Sequence, residues 1–234
     1  MEPFRFKQFN VQQADEVFKV GTDGCLLGAL ADIENAKTIL DVGTGTGLIS
    51  LMIAQRNTTA MITAIDINAQ AVSVSRKNFS NSPFHERLSC IESNFITEFE
   101  CDADFDAIVC NPPFFKNSLP NQDLKKAMAR HEIYGGVIEM LPKMASMINE
   151  NGTISIIIPS ERVEEVAISA QENMLYITER VDIRPFSDQA ANRTFLNLTK
   201  TLKTLLYREF VLYHDQNELS VEAKELLQPF YLNL

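Results

Sequence analysis

The stretch that decides the fold is Thr38-Ile39-Leu40-Asp41-Val42-Gly43-Thr44-Gly45-Thr46-Gly47, where an apolar segment runs into a glycine-rich turn. Residues 38–42 predict a buried strand and residues 46–55 a helix, so the glycines connect the end of a strand to the start of a helix. Without side chains, the glycines let the backbone turn tightly and approach a ligand, and the helix start offers free amide groups. The turn therefore predicts a site for a nucleotide-like cofactor.

The alternation of strand and helix continues on the C-terminal side of this turn. Strands are predicted at residues 61–65, 88–91, 105–110 and 153–158, and helices at 69–79 and 138–147. Such alternation is typical of a doubly wound α/β fold with parallel strands. Asn151-Gly152 is expected to end a helix before the last of these strands, because glycine tolerates positive φ. Later strands at 177–183, 194–199 and 205–213 are expected to add an antiparallel edge, giving a mostly parallel sheet of seven strands.

The composition indicates one domain. The chain has 234 residues, of which 45% are hydrophobic, and it contains no repeat, low-complexity tract or Gly/Ser linker at which it could be divided. We expect a single domain over residues 1–234. Within it, a segment at 1–36 is expected to cover cofactor and substrate, a nucleotide-binding core to occupy 37–184, and edge strands with a C-terminal helix to occupy 185–234.

Hydropathy and cysteine content exclude several classes of protein. Apolar stretches such as 153–159 are too short to span a bilayer, and the N-terminus lacks the apolar run of a signal peptide. A cytoplasmic protein without a membrane partner is therefore expected. The four cysteines, Cys25, Cys90, Cys101 and Cys110, form no CxxC pair, so we predict neither a metal site nor a disulfide framework.

The charge distribution bears on nucleic-acid binding. A formal net charge of -10 argues against a protein that binds nucleic acid by general attraction to phosphates. One short segment, residues 116–130, is nevertheless basic. It contains Lys116, Lys125, Lys126 and Arg130, and its one acidic residue is Asp123. This segment predicts a local nucleic-acid contact, although a solvated helix face would have the same composition.

An acidic residue ends the second predicted strand. Asp66 follows the apolar run 62–65, which places its carboxylate at the carboxyl end of the strand. There it can accept hydrogen bonds from both hydroxyls of a ribose. The alternative is that Asp66 caps the helix that begins at residue 68 or 69.

The tetrapeptide Asn111-Pro112-Pro113-Phe114 follows the strand predicted at 105–110, at the sheet edge where doubly wound folds bind substrates. The two prolines fix their φ angles and remove two N–H donors, which leaves the Pro112 carbonyl free to face the pocket. A planar amine can donate one hydrogen to the Asn111 side-chain oxygen and one to the Pro112 carbonyl, with Phe114 stacked on its ring. The tetrapeptide therefore predicts catalysis on a planar amine; the alternative is a turn without function.

The motif of Asp41 with Gly43, Gly45 and Gly47 resembles the first motif of class I methyltransferases, which implies a Rossmann-like fold and S-adenosylmethionine as cofactor. This spacing differs from the GxGxxG of an NAD-linked oxidoreductase. After the third strand the class commonly has an acidic residue for the adenine amine, and this chain departs from that pattern with Asn94 and Phe95. Asn94 still offers a carbonyl oxygen, and Phe95 could pack on the purine; both could equally be loop structure.

Other segments resemble the tRNA1(Val) adenine-N6 methyltransferase family along almost the whole chain. They read FKVGTDGCLLG at residues 18–28, ARHE at 129–132, QAANR at 189–193 and ELLQPFYL at 225–232. The resemblance implies methylation of the exocyclic N6 amine of an adenosine next to the anticodon of a valine tRNA.

The same resemblance implies roles for further residues. Thr22, Asp23 and Gly24 would hold the methionine end of the cofactor, although Thr22 or Asp23 could instead cap a helix. The expected tRNA contacts are Lys116, Lys125, Lys126, Arg130, His131 and Arg193.

Three alternatives use the same residues differently. In a protein-glutamine methyltransferase, the side-chain carboxamide of the substrate would donate to the same two acceptors. Such proteins, however, carry a separate N-terminal helical region and usually have tyrosine after the two prolines. A ribosomal RNA guanine methyltransferase often has a further domain for which this chain has no room. An inert binding module with this fold would not need both the cofactor loop and the acceptor pair. The oligomeric state is open.

Overall fold

A computed structural model of the chain describes residues 2–14, 17, 20–101, 104–112, 136–216 and 218–233. The strands are β1 (Phe4–Arg5), β2 (Asn10–Val11), β3 (Thr38–Val42), β4 (Met61–Asp66), β5 (Leu88–Glu92), β6 (Phe105–Cys110), β7 (Ile148–Pro159), β8 (Tyr176–Arg184), β9 (Arg193–Thr199), β10 (Leu206–Val211), β11 (Tyr213–Asp215) and β12 (Glu218–Leu219). The α-helices are α1 (Thr22–Leu30), α2 (Leu48–Arg56), α3 (Ala69–Ser80), α4 (Gly136–Met147), α5 (Val163–Glu172) and α6 (Val221–Leu227).

Eight of these strands form one sheet in the order β10-β8-β9-β7-β6-β3-β4-β5. Strand β9 runs antiparallel to both of its neighbours, and all the other adjacent strands are parallel. The mostly parallel, doubly wound sheet that the sequence predicts is confirmed. It has eight strands where the sequence predicts seven.

The antiparallel part of the sheet is present but does not lie at the edge. Residues 185–192 join β8 to β9, and a connection of this length suits antiparallel neighbours. The chain then crosses to the far side of β8, where the edge strand β10 pairs with β8 in parallel. Strand β9 is thereby inserted between β7 and β8, a placement set by long-range pairing.

The expected helix stop at Asn151-Gly152 is wrong, because both residues lie within β7. Phe105 pairs with Ile148 and Ala107 with Thr153, so β7 has an irregularity here. Gly152 does not have a positive φ angle; a glycine fits here because the backbone of β6 passes close to it. A Cβ atom on it would lie 2.9 Å from the backbone oxygen of Asp106.

Helices cover both faces of the large sheet. One buried cluster joins β3, β6 and β7 to α4 and α5, and it includes Leu40 and Leu141. A second cluster joins the same strands to α1, α2 and α6, and it includes Ile39 and Leu27. Successive residues of a strand point to opposite faces, which is why Ile39 and Leu40 belong to different clusters. This layering leaves the carboxyl edge of the parallel strands open for a ligand.

The N-terminal hairpin of β1 and β2 packs against the C-terminal end of the chain. The backbone N–H of Lys7 donates to the carbonyl of Phe230 over 2.7 Å, and Phe6 forms an isolated bridge with Tyr231. The hairpin thereby fixes the start of the segment that leads to α1.

No helix in the described ranges is long and apolar enough to cross a membrane. Among the same residues, histidine, cysteine, aspartate and glutamate form no group of three or more that could hold a metal ion. Cys25, Cys90 and Cys110 are buried free thiols, and Cys101 is exposed.

Candidate active site

A cavity of about 530 Å³ lies at the carboxyl ends of β3, β4, β5 and β6. This is the edge at which doubly wound sheets bind ligands, and the volume falls within the roughly 300–1,000 Å³ that is usual for small-molecule sites. The turn after each of the four strands contributes to the wall, and so does the start of α1. The predicted site residues that line the cavity are Thr22, Asp23, Gly24, Gly43, Gly45, Asp66, Asn94, Phe95, Asn111, Pro112 and Arg193.

The glycine-rich turn after β3 forms one wall of the cavity. Gly43, Gly45 and Gly47 all have positive φ, at 73°, 57° and 82°, which glycine adopts without steric cost. A Cβ atom on Gly43 or Gly45 would meet no atom within 4 Å, so both open toward the cavity. Gly47 is the N-cap of α2, and a Cβ atom there would lie 2.5 Å from the Phe79 ring. The first two glycines thus leave space for a ligand, whereas Gly47 serves packing.

Asp41 is fully buried behind the cavity wall and does not line the cavity. One carboxylate oxygen, Oδ2, accepts hydrogen bonds from the hydroxyls of Thr44, at 2.7 Å, and Ser50, at 2.6 Å. The other oxygen, Oδ1, has no hydrogen-bond partner among the described residues. Burial raises the pKa of Asp41 to about 6. The residue therefore holds the glycine turn and the start of α2 from behind the cavity wall.

Asp66 lines the cavity at the end of β4. Its Oδ2 accepts from the backbone N–H of Gly45 and its Oδ1 from that of Asn68, both over 2.9 Å. The helix-cap role falls to Asn68, whose side chain accepts from Gln70 and Ala71 at the start of α3. Asp66 is therefore tied to the glycine turn at the cavity wall, and its binding to the hydroxyls of a ribose stays a prediction.

Asn94 lines the cavity and also makes hydrogen bonds within its own loop. Its side-chain oxygen accepts from the backbone N–H groups of Ile96, over 3.0 Å, and Thr97, over 3.2 Å. These bonds hold the amide oxygen within the loop, and a role of Asn94 in binding the cofactor adenine stays a prediction. The neighbouring Phe95 is buried, and its ring lies 6.3 Å from that of Phe99.

Several apolar residues of the cavity wall were not among the predicted site residues, and three of them lie close to predicted positions or on a distant helix. Ile67, Ile96 and Met140 line the cavity together with Phe95, and they supply apolar surface for a flat ring. Ile67 and Ile96 directly follow the predicted site residues Asp66 and Phe95, so the sequence could have indicated them as neighbours of the cavity. Met140 comes from the middle of α4, and nothing in its local sequence indicates the cavity.

The start of α1 closes another side of the cavity. Gly21 is the N-cap, and neither Thr22 nor Asp23 provides a side-chain capping hydrogen bond. A Cβ atom on Gly24 would lie 3.9 Å from the amide nitrogen of Asn111, so the helix start runs close to that side chain. Asp23 Oδ2 instead accepts a hydrogen bond of 2.8 Å from Arg193 Nε. The predicted cofactor residue and the predicted RNA residue thus form an ion pair.

Asn111 and Pro112 lie at the end of β6, beside the glycine turn. In the parallel register Val42 is opposite Cys110, which brings the residues that follow these strands together. The other members of the predicted catalytic and RNA-binding sets lie outside the described residues: Pro113, Phe114, Lys116, Lys125, Lys126, Arg130 and His131.

The donors and acceptors of this cavity fit an S-adenosyl cofactor. Two glycines leave room for a ligand, Asp66 offers acceptors to ribose hydroxyls, and apolar side chains can cover a purine.

The sequence is similar to that of a known family. Residues 14–168 match the family model of the methyltransferase small domain. A protein of Flavobacteriaceae bacterium (strain 3519-10), named tRNA1(Val) (adenine(37)-N6)-methyltransferase, is 44% identical over 183 residues, which is 78% of each chain. The protein of the same name from Bacteroides thetaiotaomicron is 35% identical over 232 residues, which is 99% of this chain and 98% of that protein.

Solved structures agree with the fold. A protein of Agrobacterium tumefaciens described as a predicted O-methyltransferase superposes with a TM-score of 0.68 over 91% of this chain and 100% of that one, at 17% identity. A ribosomal protein L11 methylase of Lactobacillus delbrueckii gives 0.57 over 80% of this chain and 82% of that one, at 18% identity. These structures show a shared methyltransferase fold. The sequence matches show more: the chain belongs to the tRNA1(Val) (adenine(37)-N6)-methyltransferase family.

Proposed function

We propose that this protein transfers a methyl group from S-adenosylmethionine to the exocyclic N6 amine of adenosine 37, next to the anticodon of tRNA1(Val). Family membership confirms the prediction of a methyltransferase that uses S-adenosylmethionine. The observation that carries the proposal is the shared cavity, in which Asn111 and Pro112 lie beside the glycine turn and Asp66.

The cofactor is held by groups from several turns. Asp66 would accept from the ribose hydroxyls, Gly43 and Gly45 would leave room for the cofactor, and Ile67 and Met140 would cover the adenine. When bound, the cofactor supplies a methyl group on a positively charged sulfur. Thr22, Asp23 and Gly24 would hold its methionine end.

Asn111 and Pro112 act on the amine. The Asn111 side-chain oxygen accepts one amine hydrogen and the Pro112 carbonyl the other, which directs the nitrogen lone pair toward the methyl group. The cofactor would supply its methyl group to this nitrogen, and the proton that the amine loses would leave to water. Positioning the reactants in this way can supply on the order of 7 to 11 kcal/mol. A strong base is therefore not needed.

The tRNA binds across the rim of the same cavity. Arg193 lines the cavity from β9, and the basic residues from Lys116 to His131 follow the catalytic tetrapeptide in the chain. A target adenosine in a loop is already unpaired, so exposing it costs least there. A tRNA substrate implies activity in the cytoplasm. Glutamine and guanine substrates are not favoured, because the curated relatives cited above are named for adenine.

The test uses the purified protein with methyl-labelled S-adenosylmethionine. It is incubated separately with tRNA1(Val) that lacks the modification, with total ribosomal RNA and with a release factor, and each product is digested and identified. We expect label as N6-methyladenosine at position 37 of the tRNA. Label only in guanine or only in glutamine would overturn the substrate assignment.

A further inference from the structure

Asn78 connects the N-terminal segment of the chain to the cofactor turn. This residue of α3 is only 1% exposed, and its side chain makes three hydrogen bonds to the backbone. Its Oδ1 accepts from the N–H of Gln12 over 2.8 Å, and its Nδ2 donates to the carbonyl of Gln12 over 3.1 Å. The same Nδ2 donates to the carbonyl of Thr46 over 2.8 Å. One amide group therefore joins two segments that are distant in the sequence.

The segment that Asn78 holds leads directly into the cavity wall. Gln13 is the next residue, and its Oε1 accepts from the backbone N–H of Val20 over 3.0 Å. This hydrogen bond ties Gln13 to Val20. Between these two residues, Val17 is buried and lines the cavity, as does Gly21 just beyond Val20. The hydrogen bonds of Gln12 and Gln13 thus hold the backbone at Gln12 and at Val20, before and after the cavity-lining Val17.

Thr46 is the other anchor of this connection. It belongs to the glycine turn and lines the cavity, and its carbonyl accepts from Asn78. Asn78 itself does not line the cavity. Its amide instead joins Gln12, which precedes the cavity-lining Val17 in the chain, to Thr46 of the glycine turn.

We propose that Asn78 is a positioning residue for the cofactor, which holds the N-terminal segment against the glycine turn so that the two enclose S-adenosylmethionine. An amide suits this role because it presents one acceptor and two donors to backbone groups of both kinds. Aspartate would have nearly the same shape, but it would face two carbonyl oxygens with acceptors only. The proposal concerns cofactor binding and does not depend on which RNA is methylated.

The experiment compares Asn78→Ala and Asn78→Asp with the wild type by calorimetric titration with S-adenosylmethionine and, separately, S-adenosylhomocysteine. We expect the Kd for both ligands to rise on the order of tenfold, because net hydrogen bonds to the backbone are lost on one side of the cavity. The kcat at saturating cofactor should stay within about twofold of the wild type, because the catalytic residues are unchanged.

Asn57→Ala is the matched control. Asn57 is also a buried asparagine that joins separate segments, since it donates to the carbonyls of Ile33 and Ala36, over 2.7 and 2.8 Å, away from the cavity. This variant should lower the Tm without changing the Kd. If it raises the Kd as much as Asn78→Ala at an equal loss of Tm, general destabilisation explains the effect and the proposal is wrong.

An unchanged Kd in a folded Asn78→Ala protein would also overturn the proposal. If that variant fails to fold, Gln13→Ala gives a milder test, because it removes only the bond to Val20. We expect it to raise the Kd about threefold, and an unchanged Kd in this variant would equally count against a fixed N-terminal wall.

Discussion

Arg193 donates a hydrogen bond from Nε to Oδ2 of Asp23 over 2.8 Å, which pairs two residues that lie 170 positions apart in the chain. Both line the cavity, and their side chains are 32% and 28% exposed. The pair ties the start of α1 to the start of β9. One ion pair therefore connects the side of the cavity expected to hold the cofactor with the side expected to face RNA.

Replacing Arg193 and replacing Asp23 with alanine should have different effects on the affinity for tRNA. Arg193→Ala removes a cation at the cavity rim, so we expect weaker tRNA binding and a salt dependence of log K reduced by about 1. Asp23→Ala leaves that cation in place and should not weaken tRNA binding. Filter binding at several salt concentrations measures both, and Arg208→Ala, which removes an ion-paired arginine of β10, is the control. Equal losses of RNA affinity in all three variants would contradict a specific contact at Arg193.

Gly45 and Gly47 make a matched pair within one turn. Both have positive φ, so alanine costs about 1 to 2 kcal/mol of stability at either position. At Gly47 the new Cβ atom also lies 2.5 Å from the Phe79 ring, which should bring the loss to about 2 to 4 kcal/mol. At Gly45 the Cβ atom enters the open cavity instead.

We therefore expect Gly45→Ala to lose cofactor affinity with a small change in Tm, and Gly47→Ala to lose mainly Tm. Thermal unfolding and calorimetric titration with S-adenosylmethionine separate the two outcomes. Wild-type affinity in Gly45→Ala would show that the cofactor does not occupy the space in front of this glycine.

The parts of the site that follow from local sequence could be predicted. Asp66 and Asn111 end buried strands, and the strand pattern alone places the ends of parallel strands at one edge of the sheet. The glycine turn was equally predictable, because positive φ at three positions requires glycine.

The remaining features depend on partners far away in the chain. Strand β9 lies inside the sheet because of its pairing with both β7 and β8, which no local pattern encodes. The role of Asn94 is set by whether its oxygen meets nearby N–H groups or a ligand, and both uses suit the same residue. The contacts of Asp23 with Arg193 and of Asn78 with Gln12 appear only once the chain is folded.

Asp41 should make stability depend on pH in an unusual direction. Burial raises its pKa from 3.8 to about 6 in the folded protein, so between these values the folded state holds a proton that the unfolded state has lost. The free energy of unfolding therefore falls as pH rises from about 4 to about 6. A shift of about two units corresponds to on the order of 3 kcal/mol.

Asp41→Asn isolates this effect, because an amide does not titrate. The difference in unfolding free energy between wild type and variant should change by on the order of 3 kcal/mol between pH 4 and pH 7, in favour of the variant at higher pH. Asp106 and Asp182, whose pKa values are lowered, contribute equally to both proteins. Urea unfolding at intervals of one pH unit measures the difference. A constant difference across this range would mean that Asp41 ionises normally.

Asp66 and Asn111 should separate cofactor binding from catalysis. Asp66→Ala removes acceptors that serve both the ribose and the turn, so we expect the Kd for S-adenosylmethionine to rise roughly 10- to 100-fold. Asn111→Ala should leave that Kd nearly unchanged and lower kcat about 100- to 1,000-fold, because the lost acceptor serves the amine.

The control for the first variant is Asp106→Ala. Asp106 also accepts hydrogen bonds from backbone N–H groups, those of Lys37 and Thr38, but it lies at the start of β6, away from the cavity. It should therefore cost stability without affecting the Kd. Single-turnover rates with tRNA and calorimetric titrations give both quantities for each variant. Near wild-type turnover in Asn111→Ala would mean that Asn111 is not the amine acceptor, even though it lines the cofactor cavity.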